Sequence, residues 1–237
     1  MSKAKPTSSE VHPGPGFRIR TKIERADPAH VEALRQFPTP DICDLTNRLY
    51  AMSTRITNMV GDSVAGTACT VKVYPGDNLM VHKSLDVAQP GDVIVVDTLG
   101  GRTNAVIGDM VASKARHRGI AGFIIDGLVR DIPDCEEVGL PIFAVGSTPA
   151  GPLHRGPGEI NYPISCGGVV INPGDIVIGD RMGVAVVQRQ HAEDLIARLT
   201  AKAERTKEYA EKVRAGVFSM DWVDAELERS ACPIDED

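Results

Sequence analysis

The sequence predicts an α/β fold with a parallel β-α-β-α-β centre, followed by a strand-rich section of antiparallel or mixed sheet. Three observations predict it. Short continuous apolar runs, Val93-Ile94-Val95-Val96 and Phe123-Ile124-Ile125, suit strands buried on both faces. Amphipathic stretches of helical length lie between such runs and stop at Gly or Pro. Beyond residue 158 the apolar runs crowd together, with turns alone between them.

In chain order, residues 1–16 are polar and rich in Ser and Pro, and read as a short disordered leader. The remainder, 17–237, reads as one α/β domain with a helical extension from about residue 191. Residues 28–37 and 40–50 predict two short helices parted by Pro38 and Pro40, with Asp41 or Thr39 available as a cap. Val64–Val73 supplies β-favouring and small residues for a strand. Pro75-Gly76-Asp77 turns the chain into an amphipathic helix over 78–88. Pro90-Gly91-Asp92 ends that helix and starts a strand over 93–97.

After the Gly100-Gly101 loop a helix spans about 109–118, with Gly119 closing it. A buried strand over 122–126 leads through Gly127 to a short helix at 133–138 and a strand at 142–145. Residues 146–158 are Pro/Gly-rich loop. Four short strands follow at 161–166, 169–172, 175–178 and 184–188, then a charged helix over about 191–215 and a shorter one at 222–229. Pro90-Gly91-Asp92 and Pro173-Gly174-Asp175 both precede apolar runs, a repeated turn-into-strand device rather than a repeat architecture.

Composition excludes several classes. With 26 Lys+Arg against 32 Asp+Glu the formal charge is −6, and no basic block is present, against a partner held by phosphate contacts. Aromatic residues are only 4%, too few for base-stacking platforms, so no nucleic-acid partner is expected. No run approaches the roughly 20 apolar residues of a membrane span, so no membrane partner is expected either. Five widely spaced cysteines without a C-x-x-C pair suit buried thiols in a reducing, cytoplasmic setting.

The chemistry-bearing stretch is Gly108-Asp109-Met110-Val111 with Ile125-Asp126-Gly127-Leu128-Val129-Arg130-Asp131, twenty residues separating Asp109 from Arg130. By topology both segments follow C-terminal ends of neighbouring parallel strands, 93–97 and 122–126, where ligands of open α/β sheets bind. If Asp109 caps its helix, the N–H groups of Met110 and Val111 are free donors for a small carboxylate. Arg130 offers a bidentate fork to the same anion. Asp109 and Asp131 offer hard oxygen ligands suited to Mg²⁺ or Mn²⁺. A plain N-cap and a surface Arg-Asp ion pair would leave the same pattern, and spacing alone leaves both readings open.

Glycine and proline placement from Asp41 to Val187 resembles the metal-dependent 4-hydroxy-4-methyl-2-oxoglutarate/4-carboxy-4-hydroxy-2-oxoadipate aldolases, a family that also contains the regulator of ribonuclease activity A. Gly76-Asp77-Asn78-Leu79, Pro90 through Asp97, Asp126-Gly127 through Arg130-Asp131, and Gly167-Gly168-Val169 through Gly174-Asp175 carry the likeness. The family's Asp, twenty intervening residues, then Arg-Asp stands intact as Asp109…Arg130-Asp131.

The resemblance implies a compact β/β/α, swivelling-domain-like sandwich with mixed sheet and flanking N- and C-terminal helices, assembled as a homotrimer or homohexamer. It implies that Asp131 ligates Mg²⁺ or Mn²⁺ directly and Asp109 holds it through water. Arg130 would bind the oxo-acid, with Gly108, Asp109, Met110 and Val111 lending backbone N–H groups to its carboxylate. The implied reaction is retro-aldol cleavage of a 4-hydroxy-2-oxo acid to pyruvate, catalysed by Arg130, Asp131 and Asp109, with oxaloacetate decarboxylation beside it. Two alternatives go with the family: a non-catalytic regulator that binds a ribonuclease or other protein, and a lyase of the same fold acting on another hydroxy acid.

The chain departs from the family at Arg181-Met182, where relatives commonly carry an acid before Gly-Val, so the resemblance assigns no general base. Further candidates have bland readings beside the functional ones. His82 lines a pocket or packs on a helix face. Asp44 and Asn47 flank the site or cap locally. His154-Arg155 touches a distal carboxylate or sits on an exposed loop. Lys72 invites a Schiff-base reading, but the alternation of Thr70-Val71-Lys72-Val73 turns it outward. Gly14-Pro15-Gly16 and Gly156-Pro157-Gly158 lack the strand–loop–helix setting of a phosphate cradle.

Overall fold

The computed structural model describes residues 10–234. Of these, the residues up to Ile196 form one compact unit and those from Ala197 a second. Most of the predicted leader, residues 1–9, lies outside the described residues. Within its last part Gly14 pairs with Phe17, and the Gly16 N–H donates to Glu159 Oε1 at 3.0 Å.

In the first unit β1 (Phe17–Ile19) precedes helices α1 (Pro28–Arg35) and α2 (Thr39–Leu45). Asp27 caps α1 by accepting the Ala29 N–H at 2.8 Å, with Pro28 at the first helical position. Thr39 does not cap α2. Its N–H and hydroxyl instead donate to the Asp180 carboxylate, at 2.8 and 2.7 Å. Then follow β2 (Thr57–Val60), β3 (Val64–Val73), α3 (Leu79–Val87), β4 (Asp92–Asp97), β5 (Ala105–Ile107), α4 (Asp109–His117) and β6 (Gly122–Val129). The unit continues with α5 (Ile132–Val138), β7 (Ile142–Ser147), β8 (Gly158–Ile160), β9 (Ile164–Cys166), β10 (Val169–Ile171), β11 (Ile176–Asp180) and β12 (Gly183–Val187). Helix α6 (Ala192–Arg214) crosses the unit boundary, and α7 (Asp221–Arg229) lies in the second unit after a turn at Gly216.

Among the described residues ten strands form one mixed sheet whose main path is β1-β8-β3-β4-β6-β7-β2. The run β3-β4-β6-β7 is parallel, as the βαβ punctuation predicts. Along one edge β3 is shared: Val64–Thr67 pairs antiparallel with β11, and Val71–Val73 with β8. Alternate side chains of the central strands enter two cores. Ile94, Val96, Phe123 and Ile125 meet Val81 and Leu85 of α3 and Val111 and Ala115 of α4. Val93, Val95 and Ile124 meet Ile164, Cys166, Val169 and Val186 from β9, β10 and β12. Helices on one face and a smaller β layer on the other make the predicted β/β/α sandwich.

The Pro-Gly-Asp turns share one geometry. Gly91 and Gly174 take φ +85° and +94°, which only glycine adopts without strain. Asp92 and Asp175 then reach back to the N–H three residues earlier, Gln89 at 2.8 Å and Asn172 at 2.9 Å. Both carboxylates are buried, and both release the chain into a strand. In Pro75-Gly76-Asp77 the same turn launches a helix, because Asp77 Oδ1 reaches forward to the Leu79 N–H at 2.8 Å.

Some boundaries differ from expectation. The three-residue strands β1, β5 and β8 and the four-residue β2 were too short to register as apolar runs. The strand expected to end at residue 126 continues through Gly127 to Val129. A Cβ on Gly127 would strike the Thr98 side chain, so glycine there permits close approach and does not end the strand.

Candidate functional site

Two neighbouring parallel strands, β5 and β6, end side by side, with Ile107 opposite Val129. The strand leading into Asp109 is therefore β5, where the sequence pointed to 93–97. The Arg130 N–H donates to the Ile107 carbonyl at 3.1 Å and knits the two strand ends together. From β5 the chain enters α4 through Gly108; from β6 it enters α5 through Arg130-Asp131.

Gly108 is the N-cap of α4, and Asp109 occupies the first helical position instead of the cap. The Val111 N–H is consequently spent on the Gly108 carbonyl at 3.1 Å, correcting its expected role as a free donor. The first-turn N–H groups of Asp109 and Met110 have no intrahelical partner, as at any helix start. The macrodipole adds positive potential there.

Asp131 takes the left-handed conformation, φ 55° and ψ 41°, which Asp tolerates better than most residues. Its Oδ2 lies 3.1 Å from Arg130 Nε. A Cβ on Gly108 would collide with Asp131 Oδ2 and come within 3.2 Å of Arg130 Cγ. Gly108 is thus the empty space into which the Arg-Asp pair fits. Buried beneath lies Cys135, its thiol pushed up to about 11 by burial and then by the charges of Asp109, Asp131 and Asp134.

A cavity of about 290 Å³ opens here, lined by Gly108, Asp109, Met110, Val111 and Arg130, all five expected substrate-binding residues. Asp131 does not line it and joins it through Arg130. Asn78, His82, Gly151 and His154 line it too. Asn78 donates Nδ2–H to the Val106 carbonyl at 2.8 Å, so its Oδ1 faces His154 Nδ1 at 2.6 Å. With an acceptor opposite, His154 carries its proton on Nδ1. His82 meets the His154 ring edge-on, centroids 5.5 Å apart. Burial first, then the His154 and Lys114 charges, hold the His82 imidazole below its usual range.

The loop carrying His154 is fastened along its length. Thr148 N–H reaches the Val129 carbonyl at 3.0 Å, and Ala105 N–H the Ala150 carbonyl at 2.9 Å. Asn104 Nδ2 donates to the Gly151 carbonyl at 2.6 Å. Leu153 exchanges backbone bonds with Gly76 and Asn78, and the Arg155 N–H donates to Asp77 Oδ2. Gly151 packs against the Arg130 guanidinium, 2.7 Å from where its Cβ would stand.

Among the described residues no three His, Cys, Asp or Glu side chains converge as a ready cage for a metal. Asp109 and Asp131 supply carboxylate oxygens only. This donor set fits Mg²⁺ or Mn²⁺, hard ions that keep several waters and take few protein ligands, and does not fit zinc.

Other candidates lie elsewhere. Lys72 pairs with Glu159 Oε2 at 3.9 Å, and Asp44 with Arg48 at 3.1 Å. Neither lines the cavity, nor do Asn47 and Arg155. Arg181 and Met182 form the exposed turn between β11 and β12. Asn78 and Gly151 were missed as site residues. For Asn78 a signal existed: its four-residue spacing from His82 puts both on one face of a helix start.

The model of the RraA-like family, described as Aldolase/RraA, matches residues 39–186. The chain belongs to that family. This RraA-like protein is 41% identical over 181 residues to a Halalkalibacterium halodurans protein named "Putative 4-hydroxy-4-methyl-2-oxoglutarate aldolase", covering 76% of this chain and 86% of the relative. A Stutzerimonas stutzeri protein of the same name is 37% identical over 153 residues, 64% of this chain and 94% of its own. Streptomyces coelicolor RraAS2, described as an unusual member of the RNase ES inhibitor RraA protein family, superposes with TM-score 0.72 at 29% identity, over 80% of the RraA-like chain and 99% of its own.

Proposed function

We propose that this RraA-like protein is a carbon–carbon lyase that cleaves a 4-hydroxy-2-oxo acid to pyruvate and a second oxo compound, and decarboxylates oxaloacetate as a side activity. The observation that carries the proposal is the convergence of Asp109 and Arg130-Asp131 on Gly108, at the ends of two paired parallel strands and beside one cavity. The aldolase names of its relatives support it.

In this reading the Arg130 guanidinium binds the 2-oxo acid and offsets negative charge that grows on its oxygens as the C3–C4 bond breaks. The N–H groups of Asp109 and Met110 receive the carboxylate at the positive end of α4. Asp131 would hold Mg²⁺ or Mn²⁺ directly and Asp109 would hold it through water; the ion supplies Lewis-acid polarisation of the substrate's oxygens. Among the described residues no lysine lines the cavity, and this reading uses no Schiff base. Trimeric or hexameric assembly and a cytoplasmic setting belong to the same proposal; among the described residues no helix is long and apolar enough to cross a membrane.

Pyruvate release from 4-hydroxy-4-methyl-2-oxoglutarate and from oxaloacetate tests it. Turnover should need Mg²⁺ or Mn²⁺, stop with EDTA, and fall at least roughly a hundredfold in Asp131→Ala. Turnover that survives EDTA overturns the metal role. The RNase-inhibitor description of RraAS2 favours one other reading, a regulator that binds a ribonuclease. No turnover of any oxo-acid, together with ribonuclease inhibition that Asp131→Ala leaves intact, would establish that reading instead.

A further inference from the structure

We infer that His154 is the general base of the reaction, taking the proton from the substrate's 4-hydroxyl, with Asn78 as its positioning residue. The inference rests on the lyase reading and supplies the proton acceptor that the family likeness leaves unassigned at Arg181-Met182. Three features carry it. His154 lines the same cavity as Arg130 and Asp109, so a small acid held by Arg130 lies within that enclosure. The tautomer is set by a relay: the Val106 carbonyl takes the Asn78 amide N–H at 2.8 Å, which leaves Asn78 Oδ1 to accept from His154 Nδ1 at 2.6 Å. Nε2, without a partner among the described residues, is then the basic nitrogen. A base oriented by a third group in this way has the logic of a catalytic relay. Thirdly, the backbone on both sides of His154 is clamped, Leu153 to Gly76 and Asn78 and Arg155 to Asp77, more than an idle surface loop requires.

The step balances between the substrate, one imidazole and solvent. Nε2 takes the hydroxyl proton, and the O–H electron pair becomes the new C4 carbonyl bond. The C3–C4 bond breaks, its pair forms the C2–C3 double bond, and the C2 carbonyl π pair moves onto the keto oxygen to give the pyruvate enolate. The Nε2 proton then leaves to solvent, which restores the neutral imidazole, and C3 takes a proton from solvent as the C2 carbonyl re-forms, which yields pyruvate.

Decarboxylation of oxaloacetate passes through the same enolate but has no hydroxyl proton to remove, and this separates a base from a structural residue. With Mg²⁺- or Mn²⁺-loaded full-length protein, His154→Ala should lower kcat for retro-aldol cleavage by roughly 10²–10⁴-fold and decarboxylation by at least roughly tenfold less. If wild-type decarboxylation is too slow to follow, pyruvate binding replaces it and should weaken by at least roughly tenfold less than retro-aldol kcat falls. Asn78→Ala should lower retro-aldol kcat with KM unchanged and lower decarboxylation less. Undiminished retro-aldol turnover in His154→Ala overturns the assignment, and so does an equal fall in both activities or in pyruvate binding. Wild-type protein that cleaves no 4-hydroxy-2-oxo acid overturns the lyase reading itself, before any variant is made, and the assignment with it.

Discussion

Gly108 shows how one missing side chain organises a site. Its place beside Asp131 Oδ2 and Arg130 leaves no room for a Cβ, while its backbone is extended, φ −143° and ψ −166°, a conformation open to any residue. Gly108→Ala should therefore fold with a stability loss of no more than about 1 kcal/mol, since neither of its neighbours is deeply buried. It should displace Asp131 and cut turnover by at least roughly tenfold, read by pyruvate release beside a thermal melt. His82 reports on the other end of the cavity. Its folded pKa is lowered, so below the ordinary imidazole value the unfolded chain binds a proton that the native one refuses, and His82 opposes folding as pH falls. Removing His154, one cause of the lowering, in His154→Ala should move the His82 titration upward, measurable by NMR. An unmoved titration would mean that burial and Lys114 set it without His154.

Among the elements, the Pro-Gly-Asp turns were legible in the sequence, because proline, a positive-φ glycine and a short acid act within a few residues of one another. The acid's partner was less so. Asp92 and Asp175 reach back and release strands, whereas Asp77 reaches forward and across to Arg155. Asp175→Ala should destabilise by about 1–3 kcal/mol in urea unfolding, the cost of a stranded Asn172 N–H. Gly174→Ala should cost at least as much, since its φ is +94° and the Glu24 carbonyl stands where a Cβ would go. Asp109 and Arg130-Asp131 could be read from sequence by their residue types and the twenty residues between them. The lead-in strand Ala105–Ile107 could not, for three residues show no periodicity. Nor could the Asn78–His154 bond, whose partners lie 76 residues apart in a loop without a pattern of its own.

At the scale of the whole first unit, Asp126 binds distant segments together. It accepts from Arg55 Nε at 3.1 Å, Arg102 Nη2 at 3.3 Å and the Gly167 N–H at 2.9 Å. Burial pushes its carboxyl up, but these hydrogen bonds and the two arginine charges outweigh that and hold it below the usual range. A depressed carboxyl adds stability that is full above the unfolded value, near pH 3.9, and is lost as pH falls through the folded one. Asp126→Asn should lower stability near neutrality by about 3 kcal/mol and make acid unfolding less steep than in wild type, measured by urea titrations across pH. The fastened loop over the cavity reaches further, into how a substrate arrives. Because residues 148–155 are already hydrogen-bonded to three separate strands or turns, capture freezes little chain, and no slow closing step has to follow encounter. Stopped-flow association of pyruvate should then be a single exponential whose rate rises linearly with concentration and does not level off, a doorway that stands open at its working width.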